Sequence, residues 1–327
     1  MMRVVVTGAF GFIGSHLCAL LSERGDRFVA VDACTYAAVN RRFVEDLRGL
    51  ERVVVGRVES PSTWGAVSRT VGPFDGVLHL AAETHVDRSI GLEPTTLRES
   101  DDVGGPLAFV RSNVEGTALV ASFCASTGTP LVHVSTDEVY GDVEGAAAPS
   151  VEGDPLRASS PYSASKVAAE YVVAAWRRTF GLRSRVVRPS NAYGERQTRD
   201  KLIPVAIGRL SRGEPVPLYA GGLQSRQWVS ASDVALGVVA ALERGRDGDA
   251  YNLGGSVVSS NRDLVEALAR EVPSAPRPAW VEVADRPGHD VAYRVDSRAA
   301  EAALGWRPSS DVVSSIRSLV AAYSPST

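Results

Sequence analysis

Thr7-Gly8-Ala9-Phe10-Gly11-Phe12-Ile13-Gly14 joins a short apolar run, Arg3 to Thr7, to a helical pattern, Phe12 to Arg24. Its glycines recur every third residue, not in the usual G-x-G-x-x-G form, yet the physical task is similar. Residues without a β-carbon let backbone N–H groups approach a pyrophosphate at a helix N-terminus and let helix and strand pack closely. A lone glycine loop can be a mere tight turn. Here the preceding strand, the following helix and Asp32, at the end of a second strand-like run, Phe28 to Asp32, agree on a dinucleotide site. The Asp32 carboxylate can accept hydrogen bonds from ribose hydroxyls and would repel a 2′-phosphate, so NAD is expected rather than NADP.

Outward from this loop, short apolar runs alternate with helical patterns. Arg52 to Val55, Gly76 to Leu80, Leu131 to Val134 and Arg185 to Arg188 read as further strands, with helices over Pro106 to Ser126 and from Tyr162 to Phe180. That alternation predicts right-handed βαβ units: an α/β chain with a Rossmann-like doubly wound parallel sheet and ligands at the carboxyl ends of its strands. After this the pattern loosens, and Pro204, Pro215 and Pro217 mark the change. Strand-like pieces at Tyr251 to Leu253 and Trp280 to Val283, with helices near Asn261 to Arg270 and Asp311 to Ala322, predict a smaller mixed α/β lobe. The expected division is residues 1-190 for NAD and 191-327 mainly for substrate, with some later segments returning to the first domain. Gly91 to Gly105 is a polar, acidic connection expected to be mobile, and Gly145 to Ser160 a small-residue loop.

The 327 residues, 44% hydrophobic and 22% charged, suffice for an ordinary soluble core, and a net charge of -3 offers no footprint for nucleic acid or an anionic membrane. No apolar run approaches the roughly 20 residues of a membrane span, and a cytoplasmic protein is expected. Cys18, Cys34 and Cys124 lack metal-ligand spacing and read as reduced structural thiols. No metal site is expected. His79, His85 and His133 read as packing or loop residues, and Trp228, Trp280 and Trp306 as core or lobe-packing anchors.

Asp137 and Glu138 follow Ser135-Thr136 at the end of the Leu131 to Val134 run, and Tyr162 and Lys166 lie four apart on a helix. That spacing puts phenol and ammonium on one face, where the cation favours an ionised phenol. Lowering a phenol from about 10 to near neutrality takes roughly 3 units, or about 4 kcal/mol, which Lys166 together with a positively charged nicotinamide would supply. Hydride transfer alone does not need the acid pair. Neighbouring carboxylates disfavour simultaneous ionisation, which suits one acid and one base and suggests an oxidoreductase that also eliminates.

These motifs carry a resemblance. TGAFGFIGSHL at Thr7 to Leu17, HLAAETHVDRSI at His79 to Ile90, SNVEGT at Ser112 to Thr117 and HVSTDEVYG at His133 to Gly141 resemble the extended short-chain dehydrogenase/reductases, and within them the dTDP-glucose 4,6-dehydratases. PYSASK at Pro161 to Lys166, RPSNAYG at Arg188 to Gly194, KLIP at Lys201 to Pro204 and DRPGHD at Asp285 to Asp290 continue it. The resemblance implies that NAD meets Gly8, Gly11, Phe12, Ile13, Gly14, Asp32, Leu80, Ala81, Ala82, Tyr162 and Lys166, with Ser112 near the nicotinamide. It implies that a nucleotide sugar, dTDP-glucose, meets Thr84, Asn191, Lys201, Leu202, Tyr219, Arg226, Asn261, Arg286 and His289. Lys201, Arg226 and Arg286 are donors suited to its diphosphate. Thr136, Asp137, Glu138, Tyr162 and Lys166 would then be catalytic, with Asp137 the acid and Glu138 the base of a dehydration between carbons 5 and 6. By the same resemblance the Pro106 to Ser126 and Tyr162 to Phe180 helices would pair in a homodimer.

Three departures stand out. Arg57-Val58 occupies the place of a usual acidic contact to adenine, Gln227 replaces an acidic neighbour of Arg226, and Ala192 and Glu195 break the common Asn-Asn-Tyr-Gly-Pro pattern. A dehydratase of another nucleotide sugar, a nucleotide-sugar 4-epimerase and a cofactor-sensing regulator are the competing expectations. An epimerase has no need of the acid pair, and a regulator has no need of Tyr162 and Lys166.

Overall fold

A computed structural model describes residues 1–70, 72–91, 105–143 and 148–324. Its first strand, β1 (Arg3–Thr7), shows how the sequence builds the sheet. Side chains alternate faces along a strand, and Val4 and Val6 enter one hydrophobic cluster while Val5 enters another on the opposite face. Both sides are therefore covered, as the unbroken apolar runs require. β2 (Arg27–Asp32), β3 (Leu50–Val55), β4 (Gly76–His79) and β5 (Leu131–Val134) repeat the arrangement, and β6 (Ser184–Pro189) sends Val187 into the first cluster.

Seven parallel strands form the sheet, in the order Ala250–Leu253, β6, β5, β4, β1, β2, β3. The chain runs outward from β1 to β3, then restarts at β4 on the other side. This reversal between β1 and β4 is the switch point at which doubly wound sheets open a ligand crevice. Gly8, Asp32, Leu80 and Thr136 all lie just at or beyond the carboxyl ends of their strands. The fold is Rossmann-like.

After residue 190 the chain serves both layers. Asn191–Tyr193, Ser225–Ser230, Val257–Ser260 and Ala292–Tyr293 form a second sheet, and Val216–Tyr219 pairs with Trp280–Val283 in a third. Ile203, Ile207, Leu264 and Leu268 centre the core beneath them. The helix Ala231–Arg244 instead packs on the first layer, sharing a cluster with Val4, Val6 and Leu17, and Leu253 and Leu304 join it there. The smaller lobe is thus held to the first by strands and helices that cross back.

Two elements differ from their sequence patterns. The helix expected over Asp311 to Ala322 is regular only across Ile316–Tyr323, because the Asp311 carboxylate accepts the Ser314 amide and its carbonyl accepts the Ser314 and Ser315 hydroxyls. Such local bonds compete with the helical ladder. The helix expected over Pro106 to Ser126 runs as Pro106–Phe109 and Gly116–Thr127, joined by a π-helical turn over Val110–Glu115. Most of the Gly91 to Gly105 connection lies outside the described residues, as do residues 144–147. Among the described residues no helix is long and apolar enough to cross a membrane.

Candidate active site

The carboxyl ends of the strands open into a cleft of about 650 Å³ that continues under the second lobe, within the size range of small-molecule sites. Every residue singled out above for cofactor, substrate or catalysis lines it. Gly8, Gly11, Phe12, Ile13, Gly14 and Asp32 form one end. A β-carbon on Gly14 would stand 2.0 Å from the Gly8 carbonyl oxygen, and one on Gly8, whose φ is +67°, would stand 2.8 Å from the Ala81 nitrogen. Only glycine permits this approach. No side chain caps the helix Phe12–Glu23, so its first N–H groups, which lack intrahelical acceptors, face the cleft as an anion cradle. Asp32 Oδ2 accepts the Phe10 amide at 2.9 Å and Oδ1 the Cys34 amide at 2.8 Å. The loop, the uncapped helix and a carboxylate held at its rim fit a dinucleotide without a 2′-phosphate.

Beyond it, Leu80, Ala81, Ala82, Thr84 and Ser112 line the middle of the cleft. Ser112 sits on the π-helical turn, where its neighbour Asn113 accepts the Glu83 amide at 2.8 Å and donates to Ser165 at 2.8 Å. That bond ties the turn to the helix Pro161–Phe180. A capping box between Ser160 and Ser163 starts this helix, with Pro161 in its first turn. Tyr162 and Lys166 therefore emerge in a fixed phase, both buried.

The two groups do not behave as their spacing predicts. Lys166 Nζ donates to the Val134 carbonyl at 2.6 Å, and burial lowers its pKa to about 8, with Glu170 working in the opposite direction. Burial raises the Tyr162 phenol, and the charges of Glu138 and Asp137 raise it further, against a hydrogen bond from Thr136. In the protein alone, burial and the acid pair together hold the phenol in its protonated form. Two residues beyond β5, Thr136 caps a 3₁₀ turn over Asp137–Tyr140 by accepting the Glu138 amide at 3.3 Å. Asp137 is buried and Glu138 partly exposed to the cleft. Burial and the neighbouring Glu138 charge push the Asp137 carboxyl up to about 8, with Arg226 opposing. Glu138 is also raised by burial, but Arg226 and Arg286 both hold it down. The pair is split by its surroundings: one carboxyl keeps its proton near neutral pH while the other faces two cations.

Asn191, Lys201, Leu202, Tyr219, Arg226, Asn261, Arg286 and His289 line the far end. Arg226 is anchored to the main chain. Its Nη1 donates to the Ser225 and Val291 carbonyls and its Nη2 to that of Asp290, which uses three of the five N–H groups of a guanidinium. Arg286 pairs with Asp87, and Lys201 Nζ lies 3.4 Å from Asp200. His289 Nδ1 lies 2.7 Å from Asp285 Oδ1 and its ring meets that of Tyr219 edge-on at 5.8 Å. Burial lowers the His289 pKa despite Asp285.

Sequence reasoning passed over Glu83, Asp87, Trp228 and Tyr293, all of which line the cleft. Trp228 belongs to the second-lobe core as expected, yet also faces the site. Tyr293 lies under the Arg226 guanidinium, 4.6 Å from ring to carbon, and its hydroxyl bonds Asp290; its place three residues past the DRPGHD segment was the available signal. His79 and His133 are buried on adjacent strands with pKa values lowered by burial. Among the described residues no group of acidic, Cys or His side chains could hold a metal.

Residues 4–254 match the NAD dependent epimerase/dehydratase family. The chain belongs to this family. Within it, the chain is 40% identical to the dTDP-glucose 4,6-dehydratase of Streptomyces griseus, covering 98% of this chain and 94% of that one. It is 35% identical to dTDP-glucose 4,6-dehydratase 1 of Escherichia coli strain K12, covering 100% and 94%. Among solved structures, the dTDP-glucose 4,6-dehydratase of Streptomyces venezuelae with NAD bound superposes with a TM-score of 0.88 at 35% identity, covering 98% of this chain and 97% of that chain.

Against this epimerase/dehydratase background two of the departures acquire a local setting. Gln227 stitches two segments, donating to the Gly255 carbonyl at 2.7 Å and accepting the Val295 amide at 2.9 Å. A neutral amide does both, whereas a carboxylate could only accept. Nothing in the structure explains Ala192 or Glu195, since the Ala192 carbonyl that accepts Gln197 at 3.1 Å is there whatever the side chain. Arg57 lines the cleft beside Glu59, 3.5 Å away, so an acidic group stands next to the departure.

Proposed function

We propose that this protein is a dTDP-glucose 4,6-dehydratase: an NAD-dependent hydro-lyase converting dTDP-glucose to dTDP-4-keto-6-deoxyglucose. The observation that carries the reading is the Asp137–Glu138 pair in one cleft with Thr136, Tyr162 and Lys166, its Asp137 carboxyl pushed up to about 8. NAD held along the glycine loop and Asp32 would accept a hydride from carbon 4 of the sugar and return it to carbon 6. Tyr162 takes the carbon 4 hydroxyl proton, and Thr136 bonds the developing carbonyl. That carbonyl acidifies the carbon 5 hydrogen, which Glu138 removes. Asp137 gives its proton to the departing carbon 6 hydroxyl, water leaves, and Glu138 returns a proton to carbon 5.

On this reading residues 1-190 bind the cofactor and 191-327 mainly the nucleotide sugar, with Arg286, Lys201 and the remaining Arg226 N–H groups facing the diphosphate. Leu107, Val110, Tyr171 and Phe180 leave exposed apolar surface on the helices expected to pair, which supports a homodimer. Three free cysteines suit the reducing cytoplasm.

The test is incubation of the purified protein with NAD and dTDP-glucose or UDP-glucose. Loss of one water with a new 4-keto chromophore, from dTDP-glucose in preference, is the expected result. Product of unchanged mass and altered stereochemistry would make it an epimerase, and dehydration of UDP-glucose in preference would change the substrate.

A further inference from the structure

The two halves of the proposed chemistry sit on different elements: Tyr162 and Lys166 on the helix Pro161–Phe180, Asp137 and Glu138 on the turn Asp137–Tyr140. Behind the cleft, one guanidinium holds both. Arg188, near the end of β6, donates from Nε and Nη2 to the two oxygens of Glu170, at 3.1 and 2.6 Å. Glu170 follows Lys166 by four residues and Tyr162 by eight, so all three share a helix face. The same guanidinium donates from Nη1 to the Tyr140 hydroxyl at 2.6 Å, and that hydroxyl donates to Asn252 Oδ1 at 2.7 Å. Asn252 is fixed in turn by the Ser150 and Asp296 carbonyls. Tyr140, Glu170, Arg188 and Asn252 are all buried. A buried network of this kind specifies one geometry when every member is satisfied. None of these four residues lines the cleft, so none touches substrate.

We propose that Tyr140 is a positioning residue: through Arg188 and Glu170 it locks the Asp137–Glu138 turn in register with the Tyr162–Lys166 helix, so that elimination follows oxidation without the sugar moving. The inference rests on the proposed roles of Asp137 and Glu138. It predicts that loosening the turn slows water loss more than carbon 4 oxidation. A residue that merely supported the fold would slow both.

Tyr140→Phe removes the hydroxyl and leaves the ring. In the NAD-loaded protein we expect amide hydrogen exchange over residues 136–141 to quicken roughly tenfold while that of Pro161–Phe180 is unchanged. During turnover of dTDP-glucose, elimination falls roughly tenfold relative to oxidation, read as NADH absorbance building up in the steady state. Arg188→Lys, which keeps the charge but only part of the fork, gives the same direction and serves if the first variant misfolds. Equal slowing of both steps, or unchanged exchange over the turn, overturns the proposal. If the unmodified protein does not dehydrate dTDP-glucose, the functional reading falls, and the exchange measurement still decides whether Tyr140 positions the turn.

Discussion

Lys166 holds its ammonium 2.6 Å from the main-chain oxygen of Val134, the last residue of β5 and three residues before Asp137. The cation is thus fastened to the root of the acidic segment as well as to its own helix. Burial lowers its pKa to about 8, so the charge is present below that pH and lost above it. Carbon 4 oxidation, which does not use the Asp137 proton, should fall as pH rises through about 8, and Lys166→Arg, whose charge persists, should move that limb to higher pH. For stability the sign is opposite. Unfolded Lys166 keeps its proton up to about 10.5, so between about 8 and that value the unfolded chain binds more protons, and this group's contribution to stability rises with pH. An alkaline limb in oxidation that stays near 8 in the Arg variant would remove Lys166 as its cause.

Asp137→Asn should leave carbon 4 oxidation intact and slow water loss, by roughly 10² to 10⁴ if it removes general acid catalysis. Bound NADH would accumulate. The substitution also has a signature independent of substrate. Because the folded carboxyl titrates near 8 and the unfolded one near 3.8, the folded state binds more protons between them. The contribution of Asp137 to stability is therefore largest at acid pH and declines as pH rises across that window. Chemical denaturation across this pH range should show a shallower decline in the Asn variant; an unchanged slope would mean the native carboxyl titrates normally.

Asp87 and Arg286 stand 199 residues apart in sequence and meet across the cleft, with the Tyr219 hydroxyl 3.5 Å from the same carboxylate. On the proposed reading, a diphosphate would share Arg286 with Asp87. Arg286→Ala should therefore weaken binding of a nucleoside diphosphate by roughly 10- to 100-fold, the loss expected for charged hydrogen bonds. Asp87→Asn should tighten it, since a competing carboxylate is gone. Titration calorimetry separates the cases, and weaker binding by the Asn variant would make Asp87 a support for Arg286 instead of its competitor.

Much of this was legible along the chain because it is local. Glycine spacing, the strand before it and Asp32 are set by residues within thirty positions of one another, and the Ser135 to Glu138 segment follows directly from β5. What escaped the sequence depends on distant partners. Nothing near Arg226 reveals that carbonyls of Asp290 and Val291 occupy its N–H groups, and nothing near Tyr162 reveals that burial and two carboxylates raise its phenol. The Asp311 turn departs from the sequence pattern for the reverse reason: serine side-chain bonds override a helical apolar pattern too short to resist them.

Asp32 offers the sharpest test of cofactor choice. Both carboxylate oxygens already accept main-chain amides, from Phe10 and Cys34, so the residue shapes the loop and also sets its charge. Asp32→Asn would turn an NH₂ group toward one of those amides, loosening the loop for any dinucleotide. It would also remove the charge that repels a 2′-phosphate. The first effect weakens NAD and NADP alike; the second favours NADP alone. Measured separately, both affinities carry the loop's contribution, but their ratio cancels it. The NAD-to-NADP ratio of dissociation constants should therefore shift toward NADP by roughly tenfold, the equivalent of about 1.4 kcal/mol, even if both cofactors bind more weakly than before. A ratio unmoved by the substitution would mean that Asp32 acts through loop shape alone, and the discrimination would have to come from elsewhere on the adenine-side rim, where Arg57 and Glu59 stand.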